Sequence, residues 1–168
     1  TLSTSSAASD VYKRQWLDPQ TLKITGKLVN THGATSLQLA DGPHCLIQRA
    51  KLSIGGTVVE DLDVYNRNHQ LFRRLLMNSD WVQNDAVESG TQNSNGNGIA
   101  EQHLAAGKFS TFNLSPLFGL CNAGKYLPLR LSGGFSIELT LCDPEAAVAA
   151  GSSTNYELQE MSIRCAVV

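Results

Sequence analysis

The stretch Leu46-Ile47-Gln48-Arg49-Ala50-Lys51-Leu52-Ser53-Ile54-Gly55-Gly56-Thr57-Val58-Val59-Glu60 decides the fold. Leu46, Ala50, Leu52 and Ile54 fall on every second position, and Arg49, Lys51 and Ser53 fall between them. That two-residue period is the signature of a strand with one buried face. Gln48 is the one polar residue in the inward phase. Gly55-Gly56 supplies the two positive φ angles of a tight hairpin turn, so Thr57 to Glu60 is predicted to return as a second strand.

The same alternation appears upstream, where Leu22, Ile24, Gly26 and Leu28 share one face of Thr21 to Leu28 and Lys23, Thr25 and Lys27 share the other. Downstream, Tyr65, His69, Phe72 and Leu76, reinforced by Leu75, recur at helical spacing. They predict one helix with Asp63 as N-cap, Asp61 and Asp63 at its positive end, and Arg73 and Arg74 near its negative end. Residues 88–108 then turn polar and rich in Gly and Asn, which predicts a long surface loop.

Three more strands are predicted at Lys108 to Leu114, Phe135 to Leu141 and Tyr156 to Val168. Ser115 to Tyr126 and Asp143 to Thr154 read as turn-rich connections. Phe135, Ile137, Leu139 and Leu141 form an inward set, as do Met161, Ile163, Cys165 and Val167. Truncating Phe135 to Ala is expected to cost about 3–5 kcal/mol, whereas the outward Glu138 is expected to tolerate change within roughly 0.5 kcal/mol. Short alternating strands with one inserted helix and no β-α-β rhythm point to an all-β, antiparallel sandwich of jelly-roll type.

The 168 residues fit one domain with one core. Thr1 to Gln15 is small, polar and without periodicity, and Ser9 to Gln15 resembles translated adapter sequence. Residues 1–15 are therefore read as a non-native or disordered leader, and residues 16–168 as the single domain. The net charge is -2 and no basic run is present, which disfavours direct nucleic-acid binding. Cys45, Cys121, Cys142 and Cys165 are widely spaced and sit mostly in apolar strand patterns, as expected of free thiols in a reducing compartment. No stretch approaches the roughly 20 apolar residues of a membrane-spanning helix.

Chemistry is sparse. His32, His44, His69 and His103 form no zinc-type spacing with each other or with Cys and carboxylates. His69 is expected on the helix face and the other three in loops. Gly133-Gly134-Phe135-Ser136-Ile137 reads as a turn entering a strand, not as a nucleophile elbow. Glu60, Asp61 and Asp63 make a small acidic cluster, and helix capping accounts for two of them. The reading is of a protein that is not an enzyme, with no catalytic residue, no cofactor-binding residue and no metal ligand.

Several segments together resemble one family. Pro43 to Arg49, then Leu52 to Arg67, are similar to the hairpin and helix of double jelly-roll major capsid proteins of Polinton-like viruses, virophages and related endogenous elements. Tyr126-Leu127-Pro128-Leu129-Arg130-Leu131, Phe135 to Leu141 and Tyr156-Glu157-Leu158 resemble later parts of the first of their two jelly rolls. The resemblance implies a viral capsid subunit located in the virion, made in the host cytoplasm or nucleus and not secreted. It also implies trimeric, pseudo-hexagonal capsomers, with the subunit's partners being further copies and neighbouring capsid proteins. A typical domain of the family would have its first strand before Trp16 and a second jelly roll after Val168. A carbohydrate-binding jelly roll, with Trp81 as its best loop aromatic, is the alternative. A cupin-like metal enzyme would need His and Glu at inward positions that hold Leu, Ile, Phe and Cys.

Overall fold

The computed structural model describes residues 16–76 and 103–168. The 1–15 leader and the 88–102 part of the expected loop lie outside the described residues. Among the described residues, nine strands, β1 (Trp16–Asn30), β2 (Leu37–Gln38), β3 (Ile47–Ile54), β4 (Thr57–Leu62), β5 (His103–Leu104), β6 (Phe109–Leu114), β7 (Leu127–Pro128), β8 (Phe135–Leu141) and β9 (Tyr156–Val167), accompany one helix of more than one turn, α1 (Tyr65–Leu76).

The strands form two main antiparallel sheets. In one, β1 is central, with β6 and β7 along one edge and β9 along the other. In the second, β3 lies between β4 and β8. A two-stranded ladder, β2 with β5, sits apart. Leu22, Ile24 and Leu28 of β1 and Phe112 and Leu114 of β6 share one buried core with Ala50 and Leu52 of β3 and Ile137 of β8. Two sheets closing on a common apolar core make an all-β sandwich.

β1 begins five residues before the predicted strand and ends two after it, and its alternation of buried and half-exposed residues follows the reading of Thr21 to Leu28. The Gly55-Gly56 turn has φ of 59° and 79°, as a two-residue hairpin requires. β8 has the predicted bounds.

Two irregularities explain phases that strict alternation leaves unexplained. The pairing of β3 with β8 shifts between Ile47 and Arg49, so Ile47 is buried ahead of the shift and Ala50 and Leu52 after it. Gln48 falls at this bulge, which is why a polar residue occupies an apparently inward position. The pairing of β1 with β9 shifts between Thr25 and Lys27, and Glu160 opposite has φ of 53°. The extra residue moves the core-facing set of β9 from Tyr156 and Leu158 to Met161 and Ile163. Gly26 fits this crossing because a Cβ there would collide with the Met161 sulfur and come within 2.7 Å of the Phe112 ring.

Other expectations are corrected. Leu46 and Cys45 belong to a buried 3-10 turn, Pro43–Leu46, ahead of β3. Cys121 lies in a second 3-10 turn, Gly119–Asn122, and Cys165 is exposed. Residues 103–108, expected within the long loop, include β5. The Asp143 to Thr154 connection contains a helical turn, Pro144–Ala147, whose first free amide, Glu145 N–H, donates to Asp143 Oδ1 at 3.2 Å. The inward sets also fade toward the edges: Leu141 and Val167 are exposed.

Candidate functional site

Helix α1 departs from its sequence reading at its cap and over part of its face, whereas Tyr65 and His69 turn inward as their spacing predicts. Asp63 precedes the helix by two residues and accepts the N–H of Val64 at 2.9 Å, and the first turn holds no acidic side chain. Val64 itself sits at φ 50°, so the chain bends sharply into the helix before a capping geometry at Asp63 can form. Phe72 and Leu75, expected against the core, are 48% and 70% exposed. The face that docks is Tyr65, His69 and Arg73, spaced i, i+4, i+8 and turned toward the Pro43–Leu46 segment and β3.

The acidic trio separates into three local jobs. Glu60 accepts the N–H groups of Gly119 and Leu120 at 2.7 and 2.8 Å, capping the second 3-10 turn from a distant strand. Asp61 takes a two-pronged pair with Arg49, Nε to Oδ1 at 2.7 Å and Nη2 to Oδ2 at 2.6 Å. That pair crosses neighbouring strands at the surface and lowers the Asp61 pKa, chiefly through the hydrogen bond. With Asp63 turned to Val64, the three carboxylates do not converge.

The polar cluster that does converge is buried, and the sequence reading did not assemble it. Asp41 faces Arg73 in a close ion pair, and His44 Nε2 stands 3.6 Å from the second Asp41 oxygen, longer than a hydrogen bond. His44 is 1% exposed and stacks on His69, with ring centroids 4.6 Å apart. His69 Nε2 donates to the Ser115 carbonyl at 3.2 Å. Beside it, Tyr65 is fully buried and its hydroxyl accepts the Leu117 N–H at 3.0 Å. His44 therefore lies in a buried turn and not in a loop. The signals that could have found the cluster were the Asp41-x-x-His44 spacing and the polar stripe Tyr65, His69, Arg73, both overshadowed by the apolar Phe72, Leu75, Leu76 stripe.

The electrostatics follow from burial. Burial pushes the His69 pKa down, with help from the neighbouring His44, to about 3. It also lowers His44, with Asp41 partly opposing. For Asp41, burial acts upward, but His44 and the charge of Arg73 outweigh it and hold the carboxyl at about 2. A neutral, stacked imidazole pair beside an ionised Asp–Arg pair satisfies these directions at neutral pH.

Its chemical reach is narrow. Cys45 Sγ lies 3.8 Å from His44 Nε2, but burial raises the thiol pKa, which disfavours the thiolate a nucleophile needs. The cluster is sealed under α1, so it holds the helix to the turn more readily than it meets a substrate. Elsewhere, His32 Nδ1 accepts the N–H groups of Ala34 and Thr35 and so organises a turn. His103 is in β5. Among the described residues, no group of three or more His, Cys, Asp or Glu is placed to hold a metal ion. Trp81 lies outside the described residues. Ser136 is exposed in β8.

Large apolar side chains do reach the surface: Leu71, Phe72 and Leu75 on α1, Val58 and Val59 on β4, and Leu131 before β8. No family model matches the chain, and no curated protein or solved structure is found to match it. No described helix is long and apolar enough to cross a membrane.

Proposed function

We propose that this chain is the first jelly roll of a viral major capsid protein, a structural subunit that in the intact protein forms trimeric, pseudo-hexagonal capsomers of a virion shell. The observation that carries the reading is the nesting of strand pairs. β3 and β4 form a hairpin, the short strands β2 and β5 on either side of it pair with each other, and the next strands outward, β1 and β6, pair in the opposing sheet. β8 then joins the free side of β3, and β9 joins the free side of β1. The jelly-roll plan, a long antiparallel ribbon rolled into two sheets, would give an order of this kind, and that agreement supports the reading.

The position of α1 directly after the β3–β4 hairpin agrees with the order of segments on which the resemblance to the capsid family rests. The mechanism is mechanical: many weak apolar and hydrogen-bonded contacts, repeated by symmetry, close a shell without a bond-making step. The exposed apolar residues of α1 and β4 supply surface of the required kind. Light scattering on the intact gene product tests the reading. A trimer with a pseudo-hexagonal outline in electron micrographs is expected, and a stable monomer at high concentration overturns it.

A further inference from the structure

We propose that the stacked imidazoles of His44 and His69 are an acid-operated latch for α1: protonating them frees the helix from the Pro43–Leu46 turn while the two sheets keep their ladders. The latch lies wholly within the buried cluster and needs no second copy and no further chain.

Polar groups, more than apolar ones, hold α1 down. A surface helix ordinarily docks through its apolar stripe, but here Leu71, Phe72 and Leu75 are exposed while Tyr65, His69 and Arg73 turn inward. His69 Nε2 donates to the Ser115 carbonyl, the Tyr65 hydroxyl accepts the Leu117 N–H, and Arg73 pairs with Asp41. At the helix entrance Val64 sits at φ 50°, a left-handed conformation that β-branched residues resist. A strained hinge and a polar inner face leave the docked position dependent on the charges beneath it.

Those charges suit neutral rings. With Nε2 bonded to Ser115, His69 keeps a buried Nδ1 that has no hydrogen-bond partner. A proton there would be a buried donor without an acceptor, in a ring 4.6 Å from that of His44. His44 Nε2 stands 3.6 Å from one Asp41 oxygen, and the other oxygen is taken by Arg73. Arg73 opposes a proton on either ring and Arg74 opposes one on His44, whereas Asp41 favours it on both. Burial keeps the adjoining Cys45 thiol and Tyr65 phenol neutral. From β1, Lys23 donates to the Ser115 hydroxyl at 2.7 Å. The other elements packed on α1 or on the turn bury apolar side chains, Ala50 and Leu52 of β3, Phe112 and Leu114 of β6, and Ala147. Their charged residues lie elsewhere: Arg49 and Lys51 act on Asp61, and Asp143 and Glu145 are exposed. Once α1 lifts, both imidazoles return to water and to their ordinary 6.5, so the released form binds protons that the docked form refuses. Below that value each pH unit raises the released fraction by at most about tenfold per histidine.

Amide hydrogen exchange followed residue by residue on the 168-residue chain, corrected for the intrinsic effect of pH on exchange, tests this between pH 7 and 4. Opening read at the amides of His69 to Leu75 should grow at least ~30-fold over that range, and at least ~10-fold more than any change at Ile24, Leu28 and Leu52. His69→Phe keeps an aromatic ring against His44 but takes no proton, and should shrink the growth at α1 at least ~5-fold. His44→Phe should do the same, and either variant suffices if the other fails to fold. Equal loss of protection in α1 and the central strands would mean that acid unfolds the whole chain, and steady protection of α1 would mean that the rings stay docked. Either result, or wild-type growth in a folded variant, overturns the proposal.

Discussion

The imidazole rings of His44 and His69 lie 4.6 Å apart and within 21° of parallel, one from a 3-10 turn and one from α1. Both pKa values sit below the ordinary 6.5, mainly through burial. The folded state therefore holds fewer protons than the unfolded state once pH drops below 6.5. Stability is fully present above that value and declines as pH falls toward about 3, where His69 titrates in the fold. Asp41, held at about 2 against 3.8, adds a further loss below pH 3.8. The expected slope is at most about 1.4 kcal/mol per pH unit for each histidine. Denaturant melts of the wild type and His69→Phe between pH 7 and 4 check this: the wild type should lose stability steeply and the variant less so. Parallel curves would remove His69 as a source.

The two ion pairs of the described residues involving Asp41 and Asp61 differ in burial, and their loss should differ accordingly. Asp41→Asn withdraws the buried carboxylate facing Arg73 and should cost about 3–5 kcal/mol. Asp61→Asn disrupts a solvent-exposed fork with Arg49 and should change stability little, and less still at high salt. Urea denaturation of both variants at low and high salt distinguishes them; comparable losses would contradict the burial argument.

Alternation made the central strands legible: Leu22, Ile24 and Leu28, and Ala50 and Leu52, are buried as their period requires, and Gly55-Gly56 turns as its composition requires. What the period could not show is where a bulge resets it, at Gln48 and at Glu160, because a bulge depends on the partner strand's register. The docking face of α1 was partly misread for a related reason. Tyr65 and His69 dock as their spacing predicts, but periodicity weighs hydrophobicity, whereas the interior opposite α1 offers Asp41, which favours Arg73 over Phe72 and Leu75. The Asp41-x-x-His44 spacing and the Tyr65, His69, Arg73 stripe were each legible, but that they converge depends on tertiary contacts that spacing does not encode.

Gly26 occupies the crossing of Met161 and Phe112, and Gly26→Ala should force both to move. Met161 can adjust its flexible end, but the buried Phe112 ring cannot shift as freely. An overpacking cost of about 1–3 kcal/mol is expected. Chemical denaturation should show a lower midpoint at an unchanged m-value. A variant as stable as the wild type would mean that the packing here is looser than described.

Glu60 ties β4 to the 3-10 turn at Gly119–Asn122 through two amides. Glu60→Ala leaves those N–H groups to solvent and should cost about 1 kcal/mol, in the range of a lost helix cap. The local sign is sharper than the global one: the amides of Gly119 and Leu120 should lose protection from hydrogen exchange while β1 and β3 keep theirs. Unchanged protection at both amides would rule out the cap.

Along β8, burial and residue size predict opposite orders of importance. From size alone Phe135→Ala should cost about 3–5 kcal/mol and exceed Ile137→Ala. Phe135, however, is only partly buried at the strand's start, whereas Ile137 is 1% exposed and packs between the sheets. A side chain that keeps part of its surface in water returns less on truncation and leaves a smaller cavity. Ile137→Ala should therefore cost about 2–5 kcal/mol and Phe135→Ala less than Ile137→Ala, with Glu138→Ala within roughly 0.5 kcal/mol of the wild type. Thermal or urea melts of the three variants read that order directly; a Phe135→Ala loss equal to or larger than that of Ile137→Ala would contradict the burial argument.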